Sequence, residues 1–154
     1  MNQNKIKIGT IFTIPVDDKK KAYGQLVHRG TLVDTIILFN YCSENVPDLM
    51  ELIEQDILFC INTTDDYLLS RRWSLFGKAN VPEKFEFVTN YLLEKADGIV
   101  VTDIDGNFIR KASEKDMETL RKIEPLPPSI AEEVAKAKFG DGKWEDQFNE
   151  LIHK

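Results

Sequence analysis

The stretch "IKIGTIFTIPVDDKKKAYGQLVHRGTLVDTIILFNYC", residues 6–42, holds three β-rich runs joined by short polar links. IKIGTIFTIPV alternates loosely and is rich in isoleucine, as a strand starting near Ile6 should be. DDKKK reads as a polar turn, and AYGQLVHRG returns as a second strand. Gly24 inside it marks a bulge or a sharp bend where backbones come close. VDTIILFNYC is apolar enough to be a third strand buried on both faces. Three strands in succession favour a strongly curved antiparallel sheet, of which an SH3-like barrel is the closed form.

Beyond this stretch, NVPDLMELIEQD (45–56) predicts a short amphipathic helix. Its proline lies near the start, its acids in the first turn, and Leu49, Met50 and Ile53 on one side. ILFCINT (57–63) is a fourth strand, and the aromatic-rich middle (66–88) is irregular, with KFEFVT (84–89) as an edge strand. GIVVTDIDGNFIRKA (98–112) predicts a hairpin turning at Asp105-Gly106. Helical signals follow. SEKDMETLRKI (113–123) opens with the capping pair Ser113 and Asp116, and SIAEEVAKAKF (129–139) with Ser129 and Glu132, stopping at Gly140. KWEDQFNELI (143–152) places Trp144, Phe148, Leu151 and Ile152 on one face. The expectation is an α+β chain with one inserted helix and three C-terminal helices. It forms a single domain over residues 1–154, with a mainly β region (1–112) and a helical region (113–154) packed on it.

The charge is unevenly placed. No lysine or arginine lies between Arg29 and Arg71, while that interval holds Asp34, Glu44, Asp48, Glu51, Glu54, Asp56, Asp65 and Asp66. The whole chain carries −6, so its other residues come to about +2. An acidic balance with a pI near 5.0 disfavours nucleic acid or an anionic membrane as a direct partner and suits a basic protein. There is no signal-peptide pattern at the N-terminus and no window of ~18 apolar residues, so the expected location is cytoplasmic. In that compartment Cys42 and Cys60 are expected as free thiols.

Signals for chemistry are weak. His28 ends a strand and reads as a surface residue, His153 is adjacent to the C-terminus, and no third residue orients either against Cys42 or Cys60. DIDGN (103–107) has its glycine fourth, where a calcium loop needs it sixth, and two lone cysteines make no zinc site, so no metal or other cofactor is expected. Phosphate-cradling glycine motifs are absent. RRW (71–73) reads as an anchor, with Trp73 in the core and the arginines paired to nearby acids. The expectation is a protein that is not an enzyme.

Two stretches resemble a known family. KIGTIFTIPVDDKKKAYGQLV is similar to the opening of the immunity protein 26 family through Gly9, Phe12, Ile14, Pro15, Tyr23 and Gly24. SRRWSLFGKANVPE is similar to a later loop of that family through Trp73, Gly77, Val81 and Pro82, and DILFCINT lies where the family has a strand. The resemblance spans residues 5–90, and the turn here carries lysines where the family often has glycine. It implies a non-enzymatic antidote of a bacterial polymorphic-toxin system that binds a cognate toxin in the cytoplasm. Toxins of this kind are often nucleases with basic clefts, and an acidic surface would speed encounter with one. The expected toxin-binding residues are Glu44, Asp48, Glu51, Glu54, Asp65 and Asp66. Gly9, Phe12, Pro15, Tyr23, Gly24, Trp73, Gly77 and Pro82 are expected to act mainly in the fold. The alternative is a small-ligand or peptide-binding module whose aromatic pocket is lined by Tyr67, Trp73 and Phe76.

Overall fold

The computed structural model describes residues 6–153. Five strands, β1 (Thr10–Pro15), β2 (Lys21–Arg29), β3 (Asp34–Ser43), β4 (Ile57–Thr63) and β5 (Leu75–Lys78), form an antiparallel sheet in the order β4-β3-β2-β1-β5. Its two edges do not meet, so the sheet is open rather than a closed barrel. Register shifts at Ala22/Gly24 and Leu26/His28 interrupt the β2–β3 ladder, the first of them at the glycine expected to bulge. Helix α1 (Leu49–Ile53) and a single turn, α2 (Asp66–Leu69), flank β4. A second antiparallel sheet contains β6 (Tyr91–Lys95), β7 (Gly98–Thr102) and β8 (Phe108–Lys111) in that order. Helices α3 (Glu114–Thr119) and α4 (Ser129–Phe139) follow, then a 3-10 segment, Asp146–Leu151.

Both faces of the larger sheet are covered, which is why its central strands lack the alternation of a half-exposed sheet. Phe12, Ile14, Leu26, Ile36 and Leu38 point to one side, against α4 and Phe148. Ile11, Tyr23, Val27, Ile37 and Phe39 point to the other, against Leu52 and Phe85. At the start of β1, Gly9 has φ +100°, and a Cβ there would lie 2.5 Å from the Ala79 carbonyl oxygen, so this approach of β1 to β5 admits only glycine. The buried Gln25 amide donates to the carbonyls of Gly9 (3.2 Å) and Ala79 (2.9 Å), tying the same edge from β2.

Several expectations need correction. Met50 is turned outward and Leu52 takes its expected place in the core, because a helix of five residues presents only one turn to the sheet. KFEFVT makes no strand: Phe85 closes a turn onto Pro82 and plugs the core, leaving Phe87 exposed. The GIVVTDIDGNFIRKA hairpin forms, but across the five residues 103–107 rather than a two-residue turn. The Asp103 carboxylate accepts the backbone N–H groups of Asp105 and Asn107, which enlarges the loop, and Gly106 alone takes positive φ. Ser129 is already helical and Pro128 holds the cap position of α4. Glu132 therefore forms no capping box and turns inward instead. The last expected helix is a 3-10 segment with Phe148 and Leu151 buried, while Trp144 and Ile152 are partly exposed.

Ser113 and Asp116 do form the expected capping box on α3. The Arg110 guanidinium and the Ser113 N–H hold the Asp116 carboxyl down from 3.8 to about 2. A carboxyl lowered in the folded state stabilises the protein above its unfolded value, and that contribution disappears as pH falls from 3.8 towards about 2. Asp116→Asn should therefore lower the melting temperature at neutral pH and give a shallower acid-side decline across this window. An unchanged acid limb in thermal unfolding at stepped pH would refute the linkage.

Candidate binding surface around α1

The acidic interval folds into two groups, not one stripe. Antiparallel pairing of β3 with β4 sets Asp34 opposite Thr63 at one end and Phe39 opposite Ile57 at the other. Asp56 and Asp65, on either side of β4, are thus separated by its seven residues, about 23 Å of extended strand at ~3.3 Å per residue. At the far end, Arg29 engages both Asp34 (3.6 Å) and Asp65, and its Nη1 donates to the Ile6 carbonyl (2.9 Å). Burial raises the Asp34 carboxyl above its ordinary value, with Arg29 opposing the rise. Asp66 remains exposed and accepts the Thr64 hydroxyl at 2.8 Å. Asp65 is thereby neutralised by Arg29, and the expected site residues do not share one face.

The nearer group is different. Asp48 caps α1 by accepting the Met50 N–H at 3.0 Å, so part of its role is to hold the helix. Glu44, Glu51, Glu54 and Asp56 are all exposed, and none forms an ion pair with a described residue. Lys84 is adjacent, but its ammonium donates to the backbone carbonyls of Glu54 (3.0 Å) and Gln55 (2.6 Å), closing the C-terminal end of α1. Among these acids stand Val46, 80% exposed, and Met50, 62% exposed. The acidic pattern was legible in the sequence; the outward apolar pair was missed because Met50 fits the core spacing of a longer helix.

Elsewhere, candidate positions serve the fold. Trp73 is fully buried and stacks on Phe12 with centroids 5.0 Å apart at 6°; Tyr67 meets it edge-on at 5.4 Å. Its indole N–H donates to Glu132 (3.1 Å), which Arg72 grips through two nitrogens at 2.7 and 2.8 Å. Burial pushes the Glu132 carboxyl up, but Arg72 and Trp73 together carry it below its ordinary value. Trp73 is thus an anchor and Arg72 pairs with an acid, as expected, while Arg71 donates through Nη1 to the Leu68 carbonyl. Phe76 packs with Tyr23 on the opposite side of the sheet, so Tyr67, Trp73 and Phe76 do not line one pocket.

Both cysteines are free; burial raises the Cys42 thiol and pushes Cys60 up to about 11, the reverse of what a nucleophile requires. His28 bridges to Asp105 at 3.0 Å, joining the two sheets. Among the described residues no cluster of metal-ligating side chains occurs, and no helix is long and apolar enough to cross a membrane. Compared with models of known protein families, with curated proteins and with solved structures, the chain has no match.

Proposed function

We propose that the chain is a non-enzymatic protein-binding module that captures a basic partner on the surface around α1. In keeping with its resemblance to the immunity protein 26 family, that partner is a cognate toxin domain, a basic nuclease among the candidates. One observation carries this reading: the exposed Met50 and Val46 stand among Glu44, Glu51, Glu54 and Asp56, none of them neutralised by an ion pair. Protein interfaces combine an apolar centre with a polar rim, and methionine adapts its shape to a partner. The carboxylates would steer a basic surface in and set its orientation, while the apolar pair would supply the desolvated contact. No catalytic residue or cofactor enters the reading, and the site of action is the cytoplasm. The bulged, open five-strand sheet is read as an SH3-like curl.

Glu51→Lys with Glu54→Lys is the informative variant. Both side chains are exposed, and the helix cap at Asp48 and the Lys84 contacts to backbone are left in place. Association with the partner at low salt should slow by about tenfold or more, and its rate should lose most of its salt dependence. Equal association rates for wild type and variant across an ionic-strength series would remove α1 from the binding surface.

A further inference from the structure

A groove of about 520 Å³ lies where three segments meet: residues 86–90 ahead of β6, residues 118–121 at the end of α3, and residues 150–153. That volume is within the range of small-ligand pockets. The apolar part of its lining is exposed, with Phe87 44% accessible, Ile152 42% and Val88 38%. Large hydrophobic side chains gathered at one place on a surface mark a site that a ligand or partner covers. Phe87 is also held in position, its ring meeting that of Phe85 edge-on at 4.7 Å and that of His28 at 6.4 Å. An exposed ring fixed by its neighbours is a preformed wall, and it loses little freedom when a ligand packs on it.

The charges select the ligand. Glu86, Glu118 and Glu150 line the groove against one guanidinium, that of Arg121, so three negative charges face one positive charge. All three glutamates are exposed, and none forms an ion pair with a described residue. Arg121 is turned to one wall, where its Nη1 donates to the Glu150 backbone carbonyl at 3.0 Å. Cys60, with its thiol pushed up to about 11, adds neutral surface. A ligand carrying a carboxylate would be repelled by this field, whereas a cation is drawn in, and the face of an aromatic ring such as Phe87 attracts positive charge as well. We infer that this groove binds a small organic cation, a primary amine whose apolar body lies against Phe87, Val88 and Ile152 and whose ammonium lies among Glu86, Glu118 and Glu150. The site is separate from the α1 surface, and neither proposal depends on the other.

Titration of the full chain with 3-phenylpropylamine at low salt, followed by amide NMR shifts, tests this directly. Saturable shifts should centre on Glu86, Phe87, Glu118 and Ile152. The uncharged 3-phenylpropanol, which has the same body, should bind at least about fivefold more weakly, and 3-phenylpropionate more weakly still. Butylamine carries the charge on a chain the length of a lysine side chain; it should also bind at least about fivefold more weakly, because it leaves most of the apolar wall uncovered. Glu86→Gln with Glu118→Gln should bring the amine down to the affinity of the alcohol and leave the alcohol unchanged. Comparison of the four ligands needs no variant, so it stands whatever that substitution does to the fold. Equal binding of amine, alcohol and acid, butylamine as tight as 3-phenylpropylamine, shifts centred elsewhere, or no saturation by about 10 mM would overturn the assignment.

Discussion

Trp73→Ala should remove about 4 kcal/mol of stability, within the range for deleting a buried tryptophan side chain. That is a large share of the roughly 5–15 kcal/mol that holds a domain folded. The loss has two parts. The ring is fully buried between Phe12 and Tyr67, so its removal leaves a cavity bounded by a strand and a helical turn that cannot both collapse. Its N–H is also one of the donors holding the buried Glu132 carboxylate, which would then rely on the partly exposed Arg72 alone. Trp73→Phe separates the parts: most of the ring contact survives while the N–H is lost, so the cost should fall to about 1–2 kcal/mol. Urea denaturation measures both. A loss below about 1 kcal/mol for the alanine variant would show that this anchor is not where the stability lies.

Gly24→Ala should cost about 2–3 kcal/mol, although it adds a single methyl group. A Cβ at this position would stand 2.7 Å from Phe12 Cζ and 2.9 Å from the Ile37 carbonyl oxygen. The carbonyl belongs to the β2–β3 ladder, and Phe12 is already stacked against Trp73, so neither neighbour can give way cheaply. Gly77→Ala is the contrast. Its added methyl would meet only Leu49 at an ordinary 3.7 Å, and the stability should change by no more than about 0.5 kcal/mol. Comparable losses at the two glycines in parallel thermal melts would contradict the close packing assigned to Gly24.

These residues also show what could be read from the chain beforehand. Strands β2, β3 and β4 and the span of α4 emerged close to their observed bounds because apolar density and period specify them locally. Strand β5 was missed because LFGK has too few residues for a period, and it is defined by its pairing with β1, which is remote in sequence. The tight β6–β7 hairpin escaped although Asp97-Gly98 offers the same turn pair as Asp105-Gly106, because YLLEK before it is short and does not alternate. Glu132 illustrates the opposite limit: its spacing from Ser129 fits a capping box, and only a tertiary partner reveals that it faces inward. The same holds for the binding surface. Sequence supplies the eight acids between Arg29 and Arg71, but the lengths of β3 and β4 divide them, and Arg29 neutralises Asp65.

A paired capture experiment bears most directly on the α1 surface as a docking site for a basic protein. Tagged wild-type chain and the Glu51→Lys, Glu54→Lys variant are incubated with the same lysate of the native host, eluted by stepped salt, and compared by quantitative mass spectrometry. A basic protein held by the wild type, released as salt rises and depleted from the variant, is the outcome that the exposed carboxylates around Met50 require. The same proteins retained by both chains, and released at the same salt, would contradict a role for that surface in binding.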